Sequence, residues 1–242
     1  MEIPIDEAFV GAILAQEYAQ AREEIRTVGA LGALRNSQRR HDARIAAAPD
    51  VGTLDCRAGC TWCCHFSVDV RAVEVFGALE FVERNFTDEQ KARVRAEIAV
   101  NSDVLRHLGE IERMTRNVKC PFLDGGRCSI YAVRPQTCRN YHATDVTGCR
   151  QSFEQPENLD IDPDFAPWVY QAGSAHVDAF STALRDSGYD VNAYELNGAF
   201  DAALSDPGAA ARFRAGAAPF PDFEGEDVPP EYGDLRTDLP GG

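Results

Sequence analysis

Apolar positions near the start of the chain follow a helical rhythm. Leu14, Tyr18, Ala21, Ile25 and Val28 recur at steps of four and three, which lays one apolar stripe along a helix. The surrounding stretch, from Asp6 to Ala48, has no proline and is rich in Ala, Glu, Gln and Arg, all good helix formers. Asp6 is placed to cap this helix, and Pro49 with Gly52 to stop it. The stripe lasts about two heptads, short of the three or four that mark a coiled-coil arm, so it is expected to pack on its own domain. Further on, Ser67 can cap a helix carrying Val70, Val73, Phe76 and Leu79. Thr87 with Gln90 forms a capping box for the next helix, which puts Val94, Ile98, Leu105, Leu108 and Ile111 on one face. The segment from Phe122 to Tyr131 reads as a short hairpin turning at Asp124-Gly125-Gly126, the only convincing strand signal.

The later chain is helical again. Phe165, Trp168, Val169, Ala172, His176, Ala179, Phe180 and Ala183 share a face, and Gly188 supplies a left-handed stop. His176, among Ala and Phe, reads as a core histidine. A shorter helix is expected from Asn192 to Leu204. Beyond Gly216 come five prolines and seven acids with one arginine, the composition of a solvated tail.

Composition narrows the function. A net charge of −15 argues against coating a nucleic acid, and no apolar run approaches the ~20 residues of a membrane span. The first residues carry acids and no basic n-region, so a cytoplasmic location is expected. Arginine outnumbers lysine, 22 to two (Lys91 and Lys119), which reads as a GC-rich genome rather than as a function.

All eight cysteines fall between positions 56 and 149. The first block is Cys56, Cys60, Cys63 and Cys64; the second is Cys120, Cys128, Cys138 and Cys149. Without an oxidising compartment disulfides are not expected, so metal or cluster ligation is the better reading. Thiolates suit Zn²⁺ or an iron–sulfur cluster. Adjacent Cys63 and Cys64 tend to point their sulfurs apart, so one of them faces a second site or is a spare thiol. Two four-thiolate sites, or one site and a structural remainder, are both open. His65 and His142 are near enough in sequence to replace a cysteine, or to donate to one.

Only Cys60 and Cys63 have the Cys-x2-Cys spacing of a zinc knuckle, while Cys120-Pro121 has the Cys-Pro of ferredoxin-type runs, which tilts the choice to iron. Between Lys119 and Arg150, five basic residues stand against two acidic ones, +3 locally. That excess suits compensation of thiolate charge. The spacing Cys56-x3-Cys60-x-Trp62-Cys63 also matches the radical S-adenosylmethionine loop, but helices without strand alternation follow it.

Taken together, Cys56-x3-Cys60-x2-Cys63-Cys64, Cys120-Pro121-Phe122-Leu123 and Cys128-x-Ile130-Tyr131-x2-Arg134-Pro135-x2-Cys138-Arg139-x-Tyr141 resemble the YkgJ-type cysteine-cluster family. This family of zinc- or iron-chelating domains is similar to the cysteine region of flagellin lysine N-methylases. The resemblance covers Cys56 to Cys149. It implies metal binding through these cysteines, and it implies no particular reaction. Arg134 and Arg139 lie inside the motif, where they could bind the cofactor by donating to thiolate or sulfide, or hold an anionic substrate.

The expectation is a mainly α fold, an irregular helical domain with a small β-hairpin, organised around a cysteine-ligated metal centre. Residues 1–52 form an N-terminal helical segment, 53–150 the metal-binding region, 151–215 helices packed on it, and 216–242 a disordered tail. The expected partner is a metal ion or cluster, with no nucleic acid and no membrane, in a redox or metal-handling role. The alternatives are a protein lysine N-methylase-like enzyme, suggested by the family link, and a structural zinc protein acting as an interaction module. No glycine-rich methyl-donor loop supports the enzyme.

Overall fold

The structure, a computed structural model, describes residues 6–221, 223, 225–229, 231 and 232. The first helix, α1 (Glu7–Ala47), begins as expected with Asp6 accepting the Phe9 N–H. It is a hairpin of two arms rather than one rod. Gly29 takes φ 74° and ψ 167°, a conformation costly for any residue with a Cβ. The chain reverses there, so Ser37 donates to Glu17 at 2.9 Å, and Arg40 reaches both Glu17 and Glu24. In a straight helix residues 17 and 40 would stand about 35 Å apart at 1.5 Å per residue. The expected continuous stripe therefore ends early, and Val28, at the bend, is 56% exposed.

Helix α7 (Pro167–Asp186) lies against both arms. The Asp6 N–H donates to Gln171 Oε1, Tyr18 donates to Asp186, and Ser37 meets His176. Val10, Ile13, Leu14, Ile45, Val169, Ala172 and Ala179 form the core of this three-layer packing. A second, larger core gathers Leu34, Val73, Phe76, Val94, Ile98, Phe180, Phe200 and Phe213. It is built by α2 (Ala72–Asn85), α3 (Asp88–Leu105), α8 (Leu196–Ser205) and α9 (Ala209–Arg214) on the bend of α1. The short α4 (Glu110–Met114) follows α3, so Ile111 leaves the face expected for it and is 60% exposed.

Two small antiparallel sheets complete the fold. The strand β1 (Asp69–Arg71) pairs with β4 (Ala193–Glu195), Val70 opposite Tyr194. The expected hairpin is present as β2 (Leu123–Asp124) and β3 (Arg127–Cys128), turned by Gly125 and Gly126 at positive φ. The β1–β4 sheet was not expected. It takes Val70 out of the anticipated helix, which starts instead at Ala72, with the Arg71 N–H held by Glu74 at 2.8 Å. Part of the stretch read as a solvated tail follows the body. Phe220 is 4% exposed in the larger core, and Glu226 exchanges two 2.8 Å backbone bonds with Ala193. Residues 222, 224, 230 and 233–242 of that stretch lie outside the described residues. Among the described residues no helix is long and apolar enough to cross a membrane.

Between the hairpin and α7 lie two more short helices, α5 (Gln136–Asn140) and α6 (Val146–Glu154). Helix α5 meets α7 at a notch. A Cβ added at Gly173 would stand 1.5 Å from Asn140 Oδ1, and Asn140 Nδ2 donates to the neighbouring Ser174. Gly173→Ala is expected to cost about 1–3 kcal/mol, because the well-packed contact must shift. Gly11→Ala, on a helical surface with nothing within 4 Å, is expected to gain about 0.5–1 kcal/mol. Urea unfolding of the two variants checks this opposition of sign.

Candidate metal centre

The thiols are brought in by short, irregular segments fixed to the helices around them. Cys60 closes a tight turn in which Gly59 has φ 90° and the Cys60 N–H bonds Arg57 O. Cys63 and Cys64 sit on one turn of 3-10 helix, Trp62–His65. The Cys120 N–H donates to Cys64 O at 2.8 Å, which ties the two cysteine blocks together through the backbone. The hairpin then places Cys128 opposite Leu123. Cys138 rides on α5, whose first N–H, from Gln136, is held by buried Glu74 at 2.6 Å. Thr137 beside it donates to Asp69 O on β1.

Cys149 rides on α6, which Asp145 caps through the N–H groups of Thr147 and Gly148. Asp55 anchors the start of α6 by accepting the Val146 N–H, and its own N–H bonds Ala143 O. The Ala143 N–H in turn donates to Cys56 Sγ at 3.3 Å. Trp62 and His65 close the other side of α6 with their rings 5.3 and 4.9 Å from Phe153.

None of the eight cysteines is in a disulfide. Their mutual electrostatics divide them into two neighbourhoods. Burial pushes Cys120 up to about 12, with Cys64 and Cys128 adding to the rise, while the N–H groups of Phe122 and Leu123 oppose it. Burial also raises Cys128; the Ile130 N–H opposes this and Cys64 adds to it. Cys138 is raised further, by burial and then by Cys120, Cys128 and Cys64. All six pairs among Cys64, Cys120, Cys128 and Cys138 therefore act on each other.

A second neighbourhood holds Cys56, Cys60 and Cys149. Cys149 is pushed up to about 11 by burial and then by Cys56 and Cys60. Burial of its sulfur raises Cys56, the Ala143 N–H opposes this, and Cys60 adds to the rise. Between the two, the thiols of Cys63 and Cys64 interact with each other. Their interaction lowers Cys64 and raises Cys63, and burial, Cys138 and Cys56 add to the rise of Cys63.

These donors suit a thiolate-bound metal. Several buried thiols cannot ionise side by side without a cation to offset them. Backbone N–H groups at Cys56, Cys120 and Cys128 offset part of the rise caused by burial, and they would favour a thiolate once a cation is bound. The groups are neighbourhoods rather than coordination spheres. Among the described residues, no three His, Cys, Asp or Glu side chains converge as ligands on one point.

The two motif arginines take different positions. The guanidinium of Arg134 lies 4.2 Å from the centre of the exposed Tyr131 ring and lowers Cys56, Cys64 and Cys128. It is the cation placed between the two neighbourhoods. Arg139 is 2% exposed and engages Asp42 on α1 through both carboxylate oxygens, at 2.7 and 2.6 Å. It also donates to the carbonyls of Ala132 and Arg134. Arg139 thus clamps the cysteine loop to the helical hairpin, and Gln38 joins it by donating to Arg134 O.

Asp42, Gln38 and Glu74 were not among the residues singled out from sequence. They lie 62 to 97 residues from their partners, and no local pattern marks them. His65 keeps one ring nitrogen 3.2 Å from Thr61 O, and His142 is lowered by burial and by Arg134.

Comparison with known proteins finds no match among curated proteins and none among solved structures. Residues 55–162 match the model of the CxxCxxCC family, described as "Putative zinc- or iron-chelating domain". This segment holds every one of the eight thiols, and it is this cysteine region, a little under half of the chain, that is similar to the cysteine-cluster family.

Proposed function

We propose that this chain binds iron, as an iron–sulfur cluster, or Zn²⁺ through Cys56, Cys60, Cys63, Cys64, Cys120, Cys128, Cys138 and Cys149, in a redox or metal-handling role. The observation that carries this reading is that the family-matched segment holds eight cysteines free of disulfides, its two blocks tied together by the Cys120 N–H bond to Cys64 O. Backbone N–H groups aimed at sulfur support it. Arg134 would offset thiolate charge from between the two groups of thiols. Arg139 would act at one remove, by fixing the loop that carries Cys138. A bound cluster would supply electron transfer, and bound zinc would supply a rigid crosslink.

Iron is our choice of the two. Cys120 is followed by Pro121, and a single Cys-x2-Cys pair is a poor basis for a zinc knuckle site. Protein purified anaerobically is expected to be coloured, to contain acid-labile sulfide, and to bleach with dithionite. Colourless protein holding stoichiometric zinc and no sulfide would replace the iron reading with the zinc one. Protein that takes up neither metal would end both.

A further inference from the structure

A cavity of about 820 Å³ opens between β1, β4, α3, α8 and α9, and no cysteine lines it. That volume suits a small organic molecule. Its apolar walls are Leu105, Phe220 and Phe223, with Pro219 and Pro221. All but Leu105 belong to the segment after α9, which is fitted closely onto the body. A Cβ added at Gly198 would stand 2.5 Å from the Phe223 ring, and one at Gly225 would run into the Tyr194 ring. The backbone bonds between Glu226 and Ala193 hold the same segment to β4.

Five carboxylates and three arginines also line the cavity, and most of them are already engaged. Glu195 accepts the N–H groups of Asn197 and Gly198. Asp206 holds Arg212, whose guanidinium also donates to Pro219 O. Asp201 accepts from the Ser102 hydroxyl and lies 4.0 Å from Arg106. Arg113 donates to Leu108 O. Asp69 and Glu226 are left over: among the described residues neither carboxylate has a hydrogen-bond or ion-pair partner. Partial burial raises Asp69, Arg113 opposes this, and Glu226, Glu195 and Glu110 add to the rise. Unspent negative charge thus stands beside an apolar wall.

We infer that this cavity binds an organic cation, an ammonium group on an apolar or aromatic body. Asp69 and Glu226 hold the charge, and Phe220 and Phe223 hold the body. The site is separate from the metal-binding reading, since it uses none of the cysteines. Each carboxylate gains a charge-assisted hydrogen bond from an ammonium, and a ring face adds cation–π attraction. A bare metal ion is a poorer occupant. It needs several ligands on one point, and among the described residues no three His, Cys, Asp or Glu side chains converge so. An organic anion would have to draw Arg106, Arg113 or Arg212 from the groups they already hold, in the face of the larger number of carboxylates.

Calorimetric titration of the full-length chain with phenethylammonium chloride tests this, with phenylacetate as an aromatic probe of opposite charge. Wild type is expected to bind the ammonium at micromolar to millimolar concentration, and phenylacetate more weakly by roughly tenfold or more. Asp69→Asn and Glu226→Gln keep the side-chain shapes. Each should weaken the ammonium by roughly tenfold, the worth of one charge-assisted hydrogen bond, with melting temperature and metal content unchanged.

Equal binding of the two probes would overturn the charge assignment. Ammonium binding that both variants leave unaltered would place the ligand elsewhere and overturn the site. No binding of the ammonium at millimolar concentration would overturn the proposal outright. Mg²⁺ binding that is lost in both variants would overturn it in favour of a metal ion.

Discussion

Cys138→Ser is expected to lower the bound metal and to lower the melting temperature by roughly 10 °C or more, the largest effect of any single thiol. Cys138 interacts with all three other thiols of its group. Its helix α5 is bonded to Glu74, to Asp69 on β1 and, through Arg139, to Asp42 on α1. Where thiolate ligation supplies folding free energy, losing a ligand withdraws it from every element so attached. A loss of about 4 kcal/mol corresponds to some 10 °C in a chain of this size, at about 2–4 °C per kcal/mol. Calorimetry with metal analysis on the same samples is the measurement. Unchanged melting with unchanged metal would remove Cys138 from the ligand set.

His41 predicts the second large effect, and its sign is opposite to a usual histidine contact. The side chain is wholly buried on the second arm of α1, its ring 5.2 Å from that of His176. Neither ring nitrogen has a hydrogen-bond partner. Burial, then the positive charge of Arg139, pushes its pKa down from 6.5 to about 3, with Asp42 opposing. The folded state therefore keeps His41 neutral while the unfolded chain gains a proton below pH 6.5. Stability is full above that pH and falls as pH drops toward about 3, by at most about 5 kcal/mol for this residue.

His176 is lowered as well, by burial and by His41, so both rings resist protonation and both make the fold less stable in acid. His41→Phe keeps a ring of similar shape and removes two unpaired polar atoms. It is expected to be as stable as wild type or more so at pH 7, by up to about 1–3 kcal/mol, with the advantage growing as the pH falls. Urea unfolding from pH 7 to pH 4, at matched metal loading, gives the comparison. A steeper loss with pH in the variant than in wild type would refute this account.

Much of the helical framework was legible because apolar spacing and caps act locally. Asp6, the Thr87–Gln90 box and the Asp124-Gly125-Gly126 turn each do in the structure what their sequence positions imply. The reversal at Gly29 was not legible. Good helix formers flank it on both sides, and a lone glycine within a helical pattern is usually tolerated. Its signature was the set of polar residues, Glu17, Ser37 and His41, that only a returning arm can bury together. The β1–β4 sheet escaped notice because strands of three residues are too short to show alternation.

At the cysteines, residue type and spacing conveyed the chemistry but not the grouping. Cys64 meets Cys120 across more than fifty residues of chain, a distance over which spacing carries no information. Arg139 sat within the motif as a candidate for the metal. Its bond to Asp42 depends on the folded hairpin of α1, which lies far upstream.

The pairing of β1 with β4 has a consequence for the order in which the protein is made. Cys149, the last thiol, leaves the ribosome well before Ala193–Glu195, the strand that closes over Asp69–Arg71. Chains fold from the N-terminus as they emerge. All eight thiols thus exist on a chain whose C-terminal helices and closing strand have yet to be synthesised. A thiol reagent offered at that moment meets open loops, whereas in the finished protein it meets Cys120 and Cys128 already packed against the larger core.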